Sequence, residues 1–357
     1  MKFIRFLGVA SAASLLLAAC GGGGDGDQSP RVRYSATVSF GDSLSDVGTY
    51  ATTNLKASTS GYGGKYTVNG PSGKNWTELL SAQLGTGAPC AAQTGLESSG
   101  PLAALAQATA SHTGCYGYAQ GGARVTNPVG PGNKALLPGD TSGYVGQLTV
   151  PVVTQINNHL TAVGGSFSGT ELVTVLAGGN DVFINLALVS ASLATPTQAV
   201  TAMGQAGGEL AGYIKNLIVA KGATHVVVVN LPDVSQTPLA YAQSTQVQTL
   251  INTMTTTFNA QLHAGLAGVS GVLEVDAYTQ GRDQVANPGT YGLTNVTTPA
   301  CNLTATIFAS SLVCTTSTLI TGDTSRYEFA DTVHPTPYAY QLLAQFVAKR
   351  MIESGWL

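Results

Sequence analysis

The sequence predicts an α/β fold, a parallel sheet covered by helices on both faces. Three observations predict it. Four short runs rich in β-branched residues are apolar on both faces, which a buried parallel strand requires. Segments of helical period alternate with them. Gly or Pro punctuates these segments where the chain has to turn.

Taken in order, residues 35–40 read as the first strand and end at Gly41. Residues 171–177 read as the second and end at Gly178-Gly179. Residues 224–230 form the third, stopped by Leu231-Pro232, and residues 271–275 the fourth. Helical spacing runs through 197–221, stopped by Gly222, through 244–265, and through 337–354, stopped by Gly355. Strand and helix in alternation imply right-handed crossovers, with reactive groups gathered beyond the carboxyl ends of the strands. The stretches 50–75, 86–145 and 280–328 read as long loops, of the kind that form lids or binding walls.

The chain has 357 residues, 44% hydrophobic and only 9% charged, with a formal net charge of -3. That is enough for one large core. There is no basic stripe, so nucleic-acid binding through phosphate neutralisation is excluded as a main role. The N-terminus predicts export. Lys2 and Arg5 precede an apolar stretch too short to span a bilayer, and residues 1–19 fit a signal peptide. Leu17-Ala18-Ala19-Cys20, followed by four glycines, resembles a bacterial lipobox. Cys20 would then be lipidated and hold the protein at a membrane surface, either as an outer-membrane lipoprotein or facing the periplasm or exterior. The alternative is a plain signal peptide with Cys20 incidental. Residues 20–34 read as a flexible tether and 35–357 as the folded domain.

Four further cysteines remain, an even number that suggests disulfides in an exported chain. Three pairings are possible. The local one, Cys90–Cys115 with Cys301–Cys314, closes two short turn-rich insertions and is the expectation. No Cys or His spacing fits zinc.

Three groups of residues carry chemistry. The first strand runs into Gly41-Asp42-Ser43-Leu44-Ser45-Asp46, which places a hydroxyl at the sheet edge. A helix starting there would aim its first N–H groups at an anion forming beside Ser43. The second strand runs into Gly178-Gly179-Asn180-Asp181, where the Asn amide can donate to an oxyanion. Near the C-terminus stands Asp331-Thr332-Val333-His334. A carboxylate three residues before a His can fix the tautomer of the ring and free its other nitrogen to take a proton from Ser. Asp42 and Asp46 read as structural acceptors around Ser43, and Asp181 and Arg124 as braces. His112, His159, His225 and His263 read as structural or surface residues. Tyr62, Tyr66 and Trp76 fit either a pocket wall or ordinary packing.

With these residues in place, the chain resembles the SGNH/GDSL family of serine esterases and lipases. The resemblance rests on Gly41-Asp42-Ser43-Leu44-Ser45-Asp46, Tyr118-Ala119-Gln120-Gly121-Gly122-Ala123, Gly179-Asn180-Asp181 and Asp331-Thr332-Val333-His334-Pro335. It implies a flavodoxin-like three-layer α/β/α sandwich, with a parallel sheet and long loop insertions and no metal or cofactor. It implies Ser43 as nucleophile, His334 as base, Asp331 as its partner, and an oxyanion hole from Ser43, Gly122 and Asn180. The substrate would be an ester or lipid. Gly117 stands where the second block usually opens with Asn, which leaves Gly121 as a substitute for Gly122. Acyl transfer to an alcohol, and removal of O-acetyl groups from polysaccharide, are alternatives that use the same triad. A surface lipoprotein that only binds is a third.

Overall fold

A computed structural model describes residues 32–136 and 145–357. The expected signal peptide, Cys20 and most of the expected tether lie outside the described residues. The packed domain nonetheless reaches back into the stretch read as tether. Tyr34 is buried, its ring edge-on to His225 at 5.4 Å, and its hydroxyl donates to the Trp356 carbonyl at 3.1 Å. An aromatic residue and the neighbouring Val32 have found apolar cover against the C-terminus.

The strands are β1 (Thr37–Gly41), β2 (Gln93–Leu96), β3 (Gln107–Ser111), β4 (Leu172–Leu176), β5 (Val226–Val229) and β6 (Val272–Val275). The helices are α1 (Thr53–Ser58), α2 (Trp76–Leu84), α3 (Val152–Ala162), α4 (Gly179–Ser190), α5 (Pro196–Tyr213), α6 (Pro238–Tyr241), α7 (Thr245–Leu266), α8 (Ala277–Ala286) and α9 (Pro337–Glu353). The main sheet is parallel throughout, in the order β1-β4-β5-β6. Its four strands are the four read from the sequence, three of them trimmed by one to three residues and β1 shifted to start at Thr37 and take in Gly41. The pleat sends alternate side chains to opposite faces. Val38, Phe40, Val173, Val175, Val226 and Val228 meet α3, α4, α5 and α7 on one face. Leu172, Leu176, Val227, Val229 and Val275 meet α2 and α9 on the other. These are the three layers of an α/β/α sandwich. Burying each such Val or Leu is worth about 1.5–3 kcal/mol.

Beyond β1 the sheet has no full strand among the described residues. Residues 116–118 lie alongside it, with the Ser39 N–H donating to Tyr116 O at 3.0 Å and the Tyr118 N–H to Ser39 O at 2.8 Å. Ala92 and Gly117 hydrogen-bond on the outer side of this short rung. The sulfur atoms of Cys90 and Cys115 are bonded beside it, and those of Cys301 and Cys314 are bonded in the other insertion.

The helix read over 197–221 is α-helical only to Tyr213. A π-turn over Ile214–Ile218 and a 3-10 turn over Val219–Lys221 complete it before Gly222. The long loops are packed rather than bare. The stretch 50–75 contains α1, the stretch 86–145 contains the antiparallel pair β2 and β3, and α8 covers the start of 280–328. Tyr50, Leu55, Tyr66, Leu96, Leu105, Leu312 and Val313 give these insertions a small core of their own.

Candidate active site

β1 delivers Ser43 to the carboxyl edge of the sheet. Gly41 has φ of 148°, and a Cβ there would stand 2.0 Å from the Leu176 carbonyl oxygen, so only Gly fits. Gln155 of α3 pins this strand end. It accepts from the Gly41 N–H at 2.9 Å and donates to the Gly41 carbonyl at 2.8 Å. No helix starts at Ser43, contrary to the sequence expectation. The chain turns instead, and the Asp46 side chain captures the Gly48 and Thr49 amides that a helix would have used. Asp42 accepts from the Leu44 N–H at 3.0 Å. Asp46 accepts from Gly48, Thr49 and Gly121 at 2.8, 2.7 and 2.9 Å. Burial lifts the Asp42 carboxyl to about 7 and that of Asp46 to about 6, against these donors.

The segment before α9 supplies an imidazole. Nε2 of His334 is 2.8 Å from the Ser43 hydroxyl oxygen. Nδ1 lies 2.8 and 2.9 Å from the two oxygens of Asp331. A carboxylate only accepts, so Nδ1 carries the proton and Nε2 is left to receive one from Ser43. Asp331 also accepts backbone N–H groups from Ser311, Val333 and His334 at 2.7, 2.9 and 2.8 Å. Burial alone would raise its carboxyl. His334 and these donors outweigh burial and hold it well below the usual range. Tyr66 is buried with its ring centroid 4.7 Å from that of His334.

Backbone and side-chain donors line the same groove as this imidazole. Among the described residues the Ser43 and Gly122 N–H groups meet no acceptor. Gly121 does not share that freedom, since its N–H is held by Asp46. Gly122 has φ of 79°, and a Cβ there would lie 2.4 Å from the Pro131 carbonyl oxygen. Asn180 stands in the first turn of α4, buried, with one amide hydrogen donated to Ala123 O at 2.8 Å and the other free. A brace joins the two donor segments. Asp181 accepts from Arg124 Nε at 2.8 Å and from the Val125 N–H at 3.0 Å. Burial raises the Asp181 carboxyl, and Arg124 pulls it part of the way back.

Two spaces meet at Ser43 and His334. One is a cavity of about 130 Å³ walled by Leu231, Val285, Phe329 and Leu343. The other is a wider groove of about 620 Å³, walled by Gly122, Phe183, Leu186, Val247 and Leu250. Among the described residues no three His, Cys, Asp or Glu side chains form a metal-holding group.

The structure thus brings Ser43, Asp331, His334, Asn180 and Gly122 to one rim of the sheet, although the sequence scatters them. Tyr62 and Trp76 stay outside the site, and Trp76 is buried with its Nε1–H on Ser45. His159 is buried among Phe40, Tyr116, Tyr118 and Phe167. Reasoning from the sequence missed the contact of Arg124 with Asp181 and the lining residues Gln284 and Glu328. No local signal marks any of them.

A parallel α/β/α sandwich that holds a hydroxyl, an imidazole, a carboxylate and unengaged N–H donors at one strand edge has the equipment of a serine-type acyl hydrolase. The chain belongs to the GDSL-like lipase/acylhydrolase family, whose family model matches residues 38–347. That membership brings ester hydrolysis in general. No curated protein matches the chain.

Proposed function

We propose that this protein cleaves carboxylic esters through an acyl-enzyme on Ser43. One observation carries the reading: Nε2 of His334 stands 2.8 Å from the Ser43 hydroxyl while Asp331 holds Nδ1. As Ser43 Oγ attacks the ester carbonyl, its proton passes to His334 Nε2. The Ser43 N–H, the Gly122 N–H and the free Asn180 amide hydrogen face the oxyanion that forms. His334 then gives its proton to the departing alkoxide as the carbonyl–oxygen bond breaks. Water repeats the cycle, returning the proton to Ser43 and releasing the acid. Asp331 stays ionised and orients the ring.

The test is hydrolysis of p-nitrophenyl esters. The expected result is turnover that falls by about a thousandfold or more in Ser43→Ala. Undiminished turnover in that variant would remove Ser43 from the chemistry. We read the chain as exported and tethered to a membrane surface through a lipid on Cys20. The two disulfides support an oxidising compartment. The intact mass of the membrane-associated protein tests the lipid directly.

A further inference from the structure

The cavity beside Ser43 carries two unpartnered polar side chains. Gln284 of α8 and Glu328 both line it. Gln284 is buried, and its amide has no hydrogen-bond partner among the described residues. Oε2 of Glu328 is buried and equally unpartnered. Burial, with no donor or cation to offset it, pushes the Glu328 carboxyl up to about 7. A polar group kept dry and unpaired costs stability. Other polar side chains of the wall are held elsewhere, Asp233 by Arg282, Gln236 by the Tyr241 hydroxyl and Thr237 on the Val234 carbonyl, and much of the remainder is Leu231, Val285, Phe329 and Leu343. A carboxylate and an amide, both unpartnered, on one substrate-sized space point to a ligand that completes them.

The chemistry of that ligand follows from the pair. A hydroxyl can donate to a Glu328 oxygen and accept from the Gln284 amide at once, whereas a methylene satisfies neither. The size of the space limits its length. An apolar cavity of about 150 Å³ takes a benzene-sized ligand, so a cavity of about 130 Å³ takes a chain of roughly six heavy atoms. The arm of the ester follows from the reaction. The alcohol has to leave and water has to enter, which suits the wider groove. The acyl group stays bonded to Ser43 through both steps, which suits the narrower cavity.

We propose that the preferred substrates are esters of short hydroxyalkanoic acids, whose acyl chain enters this cavity and whose hydroxyl is bound by Glu328 and Gln284. The proposal rests on the ester-hydrolase reading above. Its test compares p-nitrophenyl alkanoates of matched length with and without a hydroxyl, the hydroxyl being moved stepwise along the chain. At one position kcat/KM should exceed that of the unsubstituted ester by tenfold or more, on the order expected when a buried pair gains its partner. In Glu328→Leu and in Gln284→Leu that ratio should fall towards one. Equal or poorer hydrolysis of every hydroxylated ester by the wild-type protein would overturn the proposal and leave the ester-hydrolase reading intact. Failure to hydrolyse either series would instead strike that reading. A preference that survives both substitutions would overturn the assignment to these two residues. So would a trimethylammonium-bearing chain that outruns the hydroxylated one, since Glu328 would then be reading a cation. Each ratio is internal to one variant, so a variant that does not fold leaves the wild-type ratio and the other variant to decide.

Discussion

Replacing Arg124 with Met removes a cation from beside Asp181 and keeps most of the aliphatic bulk. Asp181 would be left with its side chain 4% exposed and only the Val125 N–H as a partner. Breaking a buried pair from one side costs about 3–5 kcal/mol. The Arg124 side chain is 17% exposed, so water already shares the load and about 2–3 kcal/mol is expected. The sign with pH follows from Asp181. Its folded pKa already stands above the unfolded value because of burial, and losing Arg124 raises it further. The folded variant then holds a proton more tightly than its unfolded chain does. The loss is therefore full above the raised folded pKa and shrinks as pH falls through it towards the ordinary carboxylate range. Urea unfolding of wild type and Arg124→Met at pH 8 and pH 5 measures this. A stability gap of the same size at both pH values would refute the reasoning. So would an Arg124→Met/Asp181→Leu double variant no more stable than Arg124→Met alone. The same substitution should lower kcat more than it raises KM, because the brace sets the spacing between Gly122 and Asn180 rather than the binding of the chain.

Two further outcomes follow. Asn180→Ala should cut kcat by about a hundredfold to a thousandfold, as loss of one oxyanion donor does, and full activity in steady-state kinetics would remove Asn180 from that role. Cys301→Ser/Cys314→Ser should lower stability by about 3 kcal/mol, the amount expected for a closed loop with this sequence separation of 13 residues; an unchanged melting temperature under oxidising conditions would contradict it.

Strands β1, β4, β5 and β6 were legible because burial on both faces leaves continuous apolar runs such as Val226–Val229. β3 was not, since its residues alternate only Ala with polar side chains and are mostly exposed. The start of α4 was hidden by Gly178-Gly179, which reads as a turn. Gly178, with φ of 118°, makes that turn, and the helix begins at once beyond it. Ser43, Asn180, Asp331 and His334 could be named because each stands in a compact local pattern at a strand end or turn. The choice between Gly121 and Gly122 needed coordinates, because it depends on Asp46 reaching across 75 residues to claim one N–H. Arg124 with Asp181, Tyr66 against His334, and Gln284 with Glu328 are likewise pairings made by topology. Nothing in the sequence near either partner announces the other.

The hydroxyl of Ser43 and the imidazole of His334 are separated by 291 residues of chain. A ribosome therefore has to add 291 more residues after Ser43 before the two can meet. An unfinished or unfolded copy lacks the pair. On the proposed mechanism the reaction waits until the segment before α9 docks beside the end of β1, so a chain still being made cannot cleave the esters of the cell that makes it.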